Sequence, residues 1–410
     1  AISSANQRDG SIAVNARGTL NAGLLRSALE QPLLRQVSGM TAWSSTVNLG
    51  KRGATIVVES SLQGMASTLP APLGKAPAEV LPLRFERTVT AEEQAGGSTG
   101  PPAADRNTLD IGKVVRMEIQ RRRADGKMVV ERGAVGINEA PRLPEKGITI
   151  NGSAPRLDLD QWLHALGGAP GAQPQLSTLN LKVGALDVYG KRINDVTLRA
   201  GFQGSDWLAN VDARELEGDV RWRSLGKGRV SARLSHFTFP EPTPGKLADD
   251  APASELPGLD IIADNLVARD KKLGRLELAA VNEGRDWRID KLMLTTPESQ
   301  LSADGLWQGV AAQQRTSMNL KLEISDVGKY LERFGYPGSM QGGSAKLQGK
   351  LAWAGNPQTV DYPSLAGDLS LIAEKGQFLK IEPGIGKLLG ILSLQALPRR
   401  ITLDFRDIFS

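Results

Sequence analysis

The sequence predicts an all-β protein: a long, curved antiparallel sheet with a few short helices at its edges. Apolar and polar residues alternate with a period of two along much of the chain, as in Leu179, Leu181 and Val183. Such alternation is typical of strands with one apolar and one polar face. Turn signals rich in Gly and Asn separate these stretches, which indicates about 20 short strands joined by tight turns.

Helical spacing is confined to four short segments. Asp158 and Asp326 are suitable N-cap residues for two of them, and Pro383 lies near the start of the last one. Short helices scattered between strands are expected at the edges or mouth of a sheet rather than as one layer of an α/β fold. The predicted helices span residues 20–36, 158–166, 326–334 and 383–396.

Three stretches without periodicity are rich in Pro, Gly and small residues, and they are interpreted as loops. They span residues 95–107, 167–175 and 241–258. Together with the helices they suggest three segments of one elongated sheet, namely 1–157, 158–256 and 257–410. The first residue is an alanine and the last residues follow a strand-like stretch, so we expect a piece of a longer chain.

An internal repeat supports a modular sheet. Residues 179–207 align without gaps to residues 259–287, with 8 identities in 29 positions. A shorter Leu-x-Gly/Ala-x-apolar-x-Trp pattern ends at Trp222, Trp307 and Trp353. Repeated units of several strands bury their apolar faces by stacking against one another. The repeat therefore predicts one apolar surface that is shared by successive units.

The alternation also predicts which side chains line that surface. Either the surface closes into a packed core or it stays open as a groove, and the low aromatic content of 5% leaves little bulk to fill a wide interior. The candidate groove residues are Leu179, Leu181, Val183, Leu198, Ala200, Leu259, Ile261, Leu278, Ala280, Leu320, Leu322 and Ile324.

Composition excludes several kinds of chemistry. The chain has no cysteine and two histidines, which excludes thiol catalysis, cysteine-ligated metals and disulfides, and nearly excludes a histidine metal cage. Its 50 basic residues are interleaved with 45 acidic ones, so the net charge of +5 does not indicate a nucleic-acid-binding protein. No apolar run is long enough to span a bilayer.

No set of residues forms an active-site constellation, so we predict no catalytic, cofactor or metal site and no enzyme activity. Each chemically suggestive feature has a structural explanation. These features are the helix-start residues Asp158 and Asp160, the solvated pair Asp249 and Asp250, the glycine-containing helix start 384–387, the wet strand end Arg121–Arg123, and the structural histidines His164 and His236.

The most specific part of the chain is its last third. Residues 334–353 (FGYPGSMQGGSAKLQGKLAW) are followed by 375–390 (KGQFLKIEPGIGKLLG) and 394–407 (LQALPRRITLDFRD). These segments resemble the AsmA-like C-terminal region of the YhdP family, and residues 71–84 resemble its middle region. The resemblance covers the whole chain and is most specific between residues 326 and 407.

The resemblance implies a repeating β-groove protein without catalytic residues. Its expected partners are phospholipid acyl chains and, through parts outside this chain, the two membranes of a Gram-negative envelope. The expected location is the periplasm, with an inner-membrane anchor helix preceding this segment. Two alternatives remain open. One is an assembly factor that holds outer-membrane polypeptides by β-augmentation, and the other is a structural β-solenoid with a closed core.

Overall fold

The computed structural model describes residues 1–6, 11–29, 31–50, 53–90, 103–166, 176–223, 226–244, 256–268, 270–309 and 314–378. In these residues it contains 22 strands and three α-helices, so the predicted all-β class with short helices is confirmed. The chain divides into two compact units. Unit 1 comprises residues 1–188 and 194–203, and unit 2 comprises residues 189–193 and 204–410.

The strands are numbered in chain order. The first twelve are β1 (Ile2–Asn6), β2 (Ile12–Asn21), β3 (Val37–Gly50), β4 (Gly53–Ser60), β5 (Met65–Ser67), β6 (Leu83–Thr90), β7 (Ala104–Ile111), β8 (Val115–Ala124), β9 (Lys127–Ile137), β10 (Gly147–Asp158), β11 (Leu176–Val188) and β12 (Lys191–Gln203). The remaining strands are β13 (Asp206–Asp212), β14 (Leu216–Arg223), β15 (Arg229–Thr238), β16 (Gly258–Ala268), β17 (Lys271–Asn282), β18 (Trp287–Thr295), β19 (Ser299–Gln308), β20 (Arg315–Ile324), β21 (Met340–Ala354) and β22 (Ala366–Phe378).

Most strands pair with their neighbours in sequence and run antiparallel, as predicted. Three pairs differ, because β9–β10, β10–β11 and β15–β16 are parallel. Two parallel strands need a connection that carries the chain back to the end of the sheet at which the first strand began. The stretches 138–146, 159–175 and 239–257 are long enough to do so. The sheet is therefore mixed, and the prediction of a purely antiparallel sheet was wrong at these three steps.

Three of the predicted helices are present. The segment 20–36 contains α1 (Ala22–Leu29) and a separate 3-10 turn at Pro32–Gln36. In α2 (Leu159–Ala165) the Asp158 carboxylate accepts a hydrogen bond of 2.9 Å from the Gln161 amide, and in α3 (Val327–Arg333) Asp326 caps the helix in the same way. Both predicted N-caps are thus confirmed. The fourth predicted helix, 383–396, lies outside the described residues.

The predicted loops differ from the structure at two ends. Residues 104–107 belong to β7, because they pair with β8. Gly258 begins β16. The predicted loop 167–175 lies outside the described residues. The division into segments ending at residues 157 and 256 remains a prediction.

The 80-residue repeat corresponds to a succession of three strands. Strands β11, β12 and the start of β13 occupy the same repeat positions as β16, β17 and the start of β18. The turns match as well. Gly190 and Asp270, which are 80 residues apart, both have a positive φ, at 69° and 62°. The repeat therefore specifies backbone conformation at its turn as well as side-chain pattern.

Two buried clusters hold unit 2 together. One contains Ala232, Leu234, Ala263, Leu266 and Leu276. The other contains Ala280, Trp287, Ile289 and Trp307, in which the two indole rings meet edge to face with centroids 6.3 Å apart. Both clusters use side chains from one face of the sheet, and this face is described next.

Candidate functional site

One face of the unit 2 sheet is apolar from β16 to β22. Directly paired residues of neighbouring strands point to the same side of a sheet, so the register groups these residues into rows that cross seven strands. The rows, which we call the unit 2 apolar face, are Leu259, Ala280, Ile289, Gly305, Met318, Leu351 and Gly367, then Ile261, Leu278, Leu292, Ala303, Leu320, Gly349 and Leu369, and then Ala263, Leu276, Leu294, Leu301, Leu322, Leu347 and Leu371.

A β-bulge keeps this face apolar in β18. Asp290 and Lys291 together lie opposite the single residue Asp304. Ile289 and Leu292 are three positions apart, and in a regular strand they would point to opposite faces. The extra residue changes the parity of the strand and returns Leu292 to the apolar side. The break in the period-two pattern is thus structural, and it preserves the row.

The burial of this face decreases along the sheet. Ala263, Leu276 and Ala280 on β16 and β17 are 4% exposed or less. Leu320 and Leu322 on β20 are only half-buried, and Leu371 on β22 is 39% exposed. Leucines in a closed core are normally fully buried. In the described part of the chain, the face is therefore packed at β16–β17 and partly open at β20–β22.

Unit 1 carries a comparable apolar face. Two of its rows, which we call the unit 1 apolar face, are Val58, Phe85, Leu109, Met117, Val135, Ile150 and Leu179, and Leu83, Ile111, Val115, Ile137, Gly152 and Leu181. Gly152 allows the parallel strands β9 and β10 to approach closely, because a Cβ atom there would overlap the carbonyl oxygen of Ile137. The close approach of the two strands thus explains why a glycine occupies this position in the apolar row.

The structure brings most of the predicted groove residues together within each unit. Three of them, Leu179, Leu181 and Val183, lie on β11 on the apolar side of unit 1. Seven lie on the apolar side of unit 2, namely Leu259, Ile261, Leu278, Ala280, Leu320, Leu322 and Ile324. Leu198 and Ala200 are half-buried on β12. Their role as lipid contacts remains a prediction.

A charged cluster interrupts the unit 1 apolar face, and sequence reasoning missed it. Arg87 lies two residues from Phe85 on β6, and Asp105 and Asn107 continue the apolar side of β7. Arg121 lies opposite Asp105 on β8, so its interpretation as part of a wet strand end was wrong. Arg122 points to the other face, where it is 67% exposed beside Glu131. We call Arg87, Asp105, Asn107 and Arg121 the Asp105 cluster.

The Asp105 carboxylate is completely buried and is bound by three neighbouring side chains. Arg121 donates two hydrogen bonds to it, of 2.8 and 2.7 Å, and the Arg87 Nη2 lies 2.8 Å from Oδ2 in an ion pair. Asn107 donates its side-chain amide at 2.7 Å. Burial alone would raise the pKa of Asp105, but the hydrogen bonds and charges of these neighbours bring the pKa below its usual value. Asp105 is therefore ionised at neutral pH.

A second buried carboxylate anchors α3 to the sheet of unit 2. Glu298, in the turn between β18 and β19, is 5% exposed and forms a two-contact ion pair with Arg333 on the helix. The hydrogen bonds from Arg333 hold the pKa of the Glu298 carboxyl below its usual value. Stability from this pair is complete above about pH 4.3, the ordinary pKa of Glu, and is lost as the pH falls through the lowered pKa.

We expect Glu298→Gln to weaken the pH dependence of hydrogen-exchange protection in α3. Hydrogen exchange at the Tyr330 and Phe334 amides, corrected for intrinsic rates, should show less protection at pH 3 than at pH 6 in the unmodified protein. In the variant, protection should be low at both values, and the remaining dependence should come from the N-cap Asp326. Glu332→Gln, an exposed position on the same helix, is the matched control. An unchanged pH profile in Glu298→Gln would contradict the anchoring role.

The opposite faces of both units are polar. Cross-strand ion pairs such as Arg84–Glu59 and Arg275–Asp264 are largely exposed, and such pairs contribute little to stability. Two shallow concavities of about 950 and 730 Å³ include polar-face side chains of alternating charge, among them Arg84 and Asp110 in unit 1 and Arg288 and Asp304 in unit 2. These charges alternate along the sheet and do not form a nucleophile–base arrangement.

The remaining candidates from the sequence are two histidines, an aspartate pair and a glycine-containing segment. His164 is exposed on α2, and His236 lies 3.6 Å from Glu217. The pair Asp249–Asp250 and residues 384–387 lie outside the described residues. In the described ranges, no group of three or more His, Asp or Glu side chains is placed to hold a metal ion, and no helix is long and apolar enough to cross a membrane.

The chain is similar in sequence to known proteins. The sequence model of the family described as YhdP protein matches residues 1–410. The intermembrane phospholipid transporter YhdP of Escherichia coli strain K12 is 25% identical over 431 aligned residues, which cover 97% of this chain and 32% of that relative. The chain thus spans about a third of the length of that relative. No solved structure matches the chain.

Proposed function

Because this chain belongs to the YhdP family over its whole length, we propose that it is a segment of a non-enzymatic phospholipid transporter. The acyl chains lie along the apolar faces of the two units, and the protein acts in the periplasm between the inner and outer membranes. An anchor in the inner membrane lies outside this chain. The relative named as an intermembrane phospholipid transporter supports the cargo and the location.

One observation carries the proposal: the unit 2 apolar face is only half-buried at β20–β22. Each acyl CH₂ group that is exposed to water costs about 0.8 kcal/mol. A phospholipid with two chains, on the order of 30 such groups, therefore crosses water very slowly. A row of half-buried leucines can cover an acyl chain on one side without requiring the protein to unfold, so it lowers this barrier.

The polar face of each sheet is compatible with a solvated lipid headgroup. The opposite side of each sheet carries Lys, Arg, Asp and Glu side chains in exposed ion pairs, so it stays in water. A lipid on the apolar face can then keep its headgroup at the solvent boundary. Such transport needs neither a catalytic residue nor a cofactor.

Site-specific photocrosslinking in the full-length protein tests the proposal. A photoreactive residue is placed at Leu320 or Leu369 on the unit 2 apolar face, and at Gln348 on the polar face of β21 as the matched control. We expect phospholipid adducts at the first two positions and little or none at Gln348. Adducts with outer-membrane polypeptides instead of lipid would favour the assembly-factor alternative. No adduct of either kind would indicate a closed structural sheet.

A further inference from the structure

The Asp105 cluster is an unusual feature for an apolar surface, because its charges do not cancel. It contains one carboxylate, Asp105, and two guanidinium groups, Arg87 and Arg121. A carboxylate accepts about four hydrogen bonds. Here Arg121 donates two and Asn107 donates one, and Arg87 adds an ion pair with Oδ2. Asp105 is thus bound by three side chains, and the cluster keeps a net charge of +1.

Arg87 is the member of the cluster whose hydrogen-bond donors are only partly used. In the described part of the chain its ion pair is with Asp105 through Nη2, and its Nε is buried without a hydrogen-bond partner. Its side chain is nevertheless 32% exposed. The protein itself thus satisfies only part of this guanidinium, and part of the surplus charge reaches the surface of the apolar face.

The surroundings of Arg87 are apolar. Its paired neighbour on β4 is Ile56, and Phe85 and Val89 flank it on β6. Ile119 lies beyond Asn107 on β8. A small inorganic anion would gain nothing from these side chains. An amphiphile with an anionic group and acyl chains would use both features, because arginine binds phosphate oxygens with charge-assisted hydrogen bonds.

We infer that the Asp105 cluster binds the phosphate of a phospholipid whose acyl chains lie on the unit 1 apolar face. This inference rests on the proposed transport function and adds a headgroup contact to it. Asp105 has a distinct part in this arrangement. It orients Arg121 and lowers the net charge from +2 to +1, so that the phosphate is attracted but can leave again, as transport requires.

The test combines photocrosslinking with charge variants in the full-length protein. Benzoylphenylalanine replaces Phe85, a similar aromatic residue two positions from Arg87 on the same face. The probes are vesicles that contain phosphatidylethanolamine and phosphatidylglycerol, and separately diacylglycerol, which has the acyl chains without the phosphate. We expect Arg87→Gln to lower phospholipid adducts about tenfold, because a hydrogen bond to a charged group is lost. Diacylglycerol adducts should not change.

Two further variants separate a charge effect from a folding effect. Arg106→Gln removes an arginine from the polar face of β7, where it pairs with Glu118, and should leave phospholipid adducts unchanged. Arg87→Lys keeps the positive charge and should retain most of them. If Arg87→Lys loses adducts as completely as Arg87→Gln, Arg87 has a packing role and the inference is wrong.

The outcomes also distinguish the inference from the proposed function. Phospholipid adducts at Phe85 that are equal in the unmodified protein and in Arg87→Gln would overturn the inference while leaving transport intact. Absence of any lipid adduct at both Phe85 and Leu320 would overturn transport itself. Calorimetric titration with inorganic phosphate should show no binding. Phosphate binding that Arg87→Gln abolishes, without a change in phospholipid adducts, would assign the cluster to free phosphate.

Discussion

Leu320→Asp in the full-length protein is expected to lower phospholipid delivery to the outer membrane at least tenfold, without lowering the amount of protein. Leu320 lies in the middle row of the unit 2 apolar face, between Ala303 and Gly349, and it is half-buried. Removing one leucine contact costs an acyl chain about 2 kcal/mol, which is more than a factor of ten in rate. Leu320 belongs to neither buried cluster. The carboxylate introduced by the substitution can therefore stay hydrated, and the strand can stay paired.

Gln348→Asp is the control, since it introduces the same charge on the polar face of the adjacent strand, opposite Lys321. Protein level, phospholipid crosslinking and outer-membrane lipid supply are measured for both variants. Leu278→Asp makes a useful contrast, because Leu278 packs against both clusters and this variant should also lose stability. Normal lipid supply in Leu320→Asp with a normal amount of protein would count against transport along this face. Degradation of Leu320→Asp would indicate that the face is a closed core.

The alternation of residues was sufficient to predict the fold class, because a period of two is a local property of each strand. The turn residues Gly190 and Asp270, which occupy equivalent positions in the repeat, share a positive φ for the same local reason. The three parallel steps could not be predicted in this way. They depend on where a connection such as 239–257 returns the chain, and that choice is made by packing of the whole sheet rather than by the local pattern.

The Asp105 cluster shows where sequence reasoning ends. Arg87 and Asp105 both occupy apolar positions in otherwise alternating strands, and this exception was the available signal. It becomes a cluster only when the register places Asp105 opposite Arg121 and Arg87 opposite Asn107. Three consecutive arginines look like a solvated strand end. Successive side chains of a strand point to opposite faces, however, so Arg122 faces solvent while Arg121 lies on the apolar side of the sheet.

Tryptophan side chains mark one end of the unit 2 apolar face and hold the adjoining loops. Trp287 donates through its indole N–H to the carbonyl of Pro257 at 3.0 Å, and Trp353 donates to the carbonyl of Asn356 at 3.0 Å. Trp307 lies between them in the register, is 2% exposed and donates to the Gln314 side chain at 3.1 Å. Two of the three tryptophans that end the Leu-x-Gly/Ala-x-apolar-x-Trp pattern, Trp307 and Trp353, thus donate to residues that follow the end of their own strand.

Trp307→Ala is expected to destabilise β18–β20 by about 3–5 kcal/mol, the usual cost of truncating a buried aromatic side chain. The cavity would remove the edge-to-face contact with Trp287 and leave the Gln314 side chain without this partner. Hydrogen exchange of the backbone amides in these strands should become at least about a hundredfold faster, since 1.4 kcal/mol corresponds to a factor of ten. Leu306→Ala, the half-buried neighbour on the polar face, should change exchange less than tenfold. Equal effects of the two variants would show that the contact between Trp287 and Trp307 does not stabilise these strands beyond their backbone pairing.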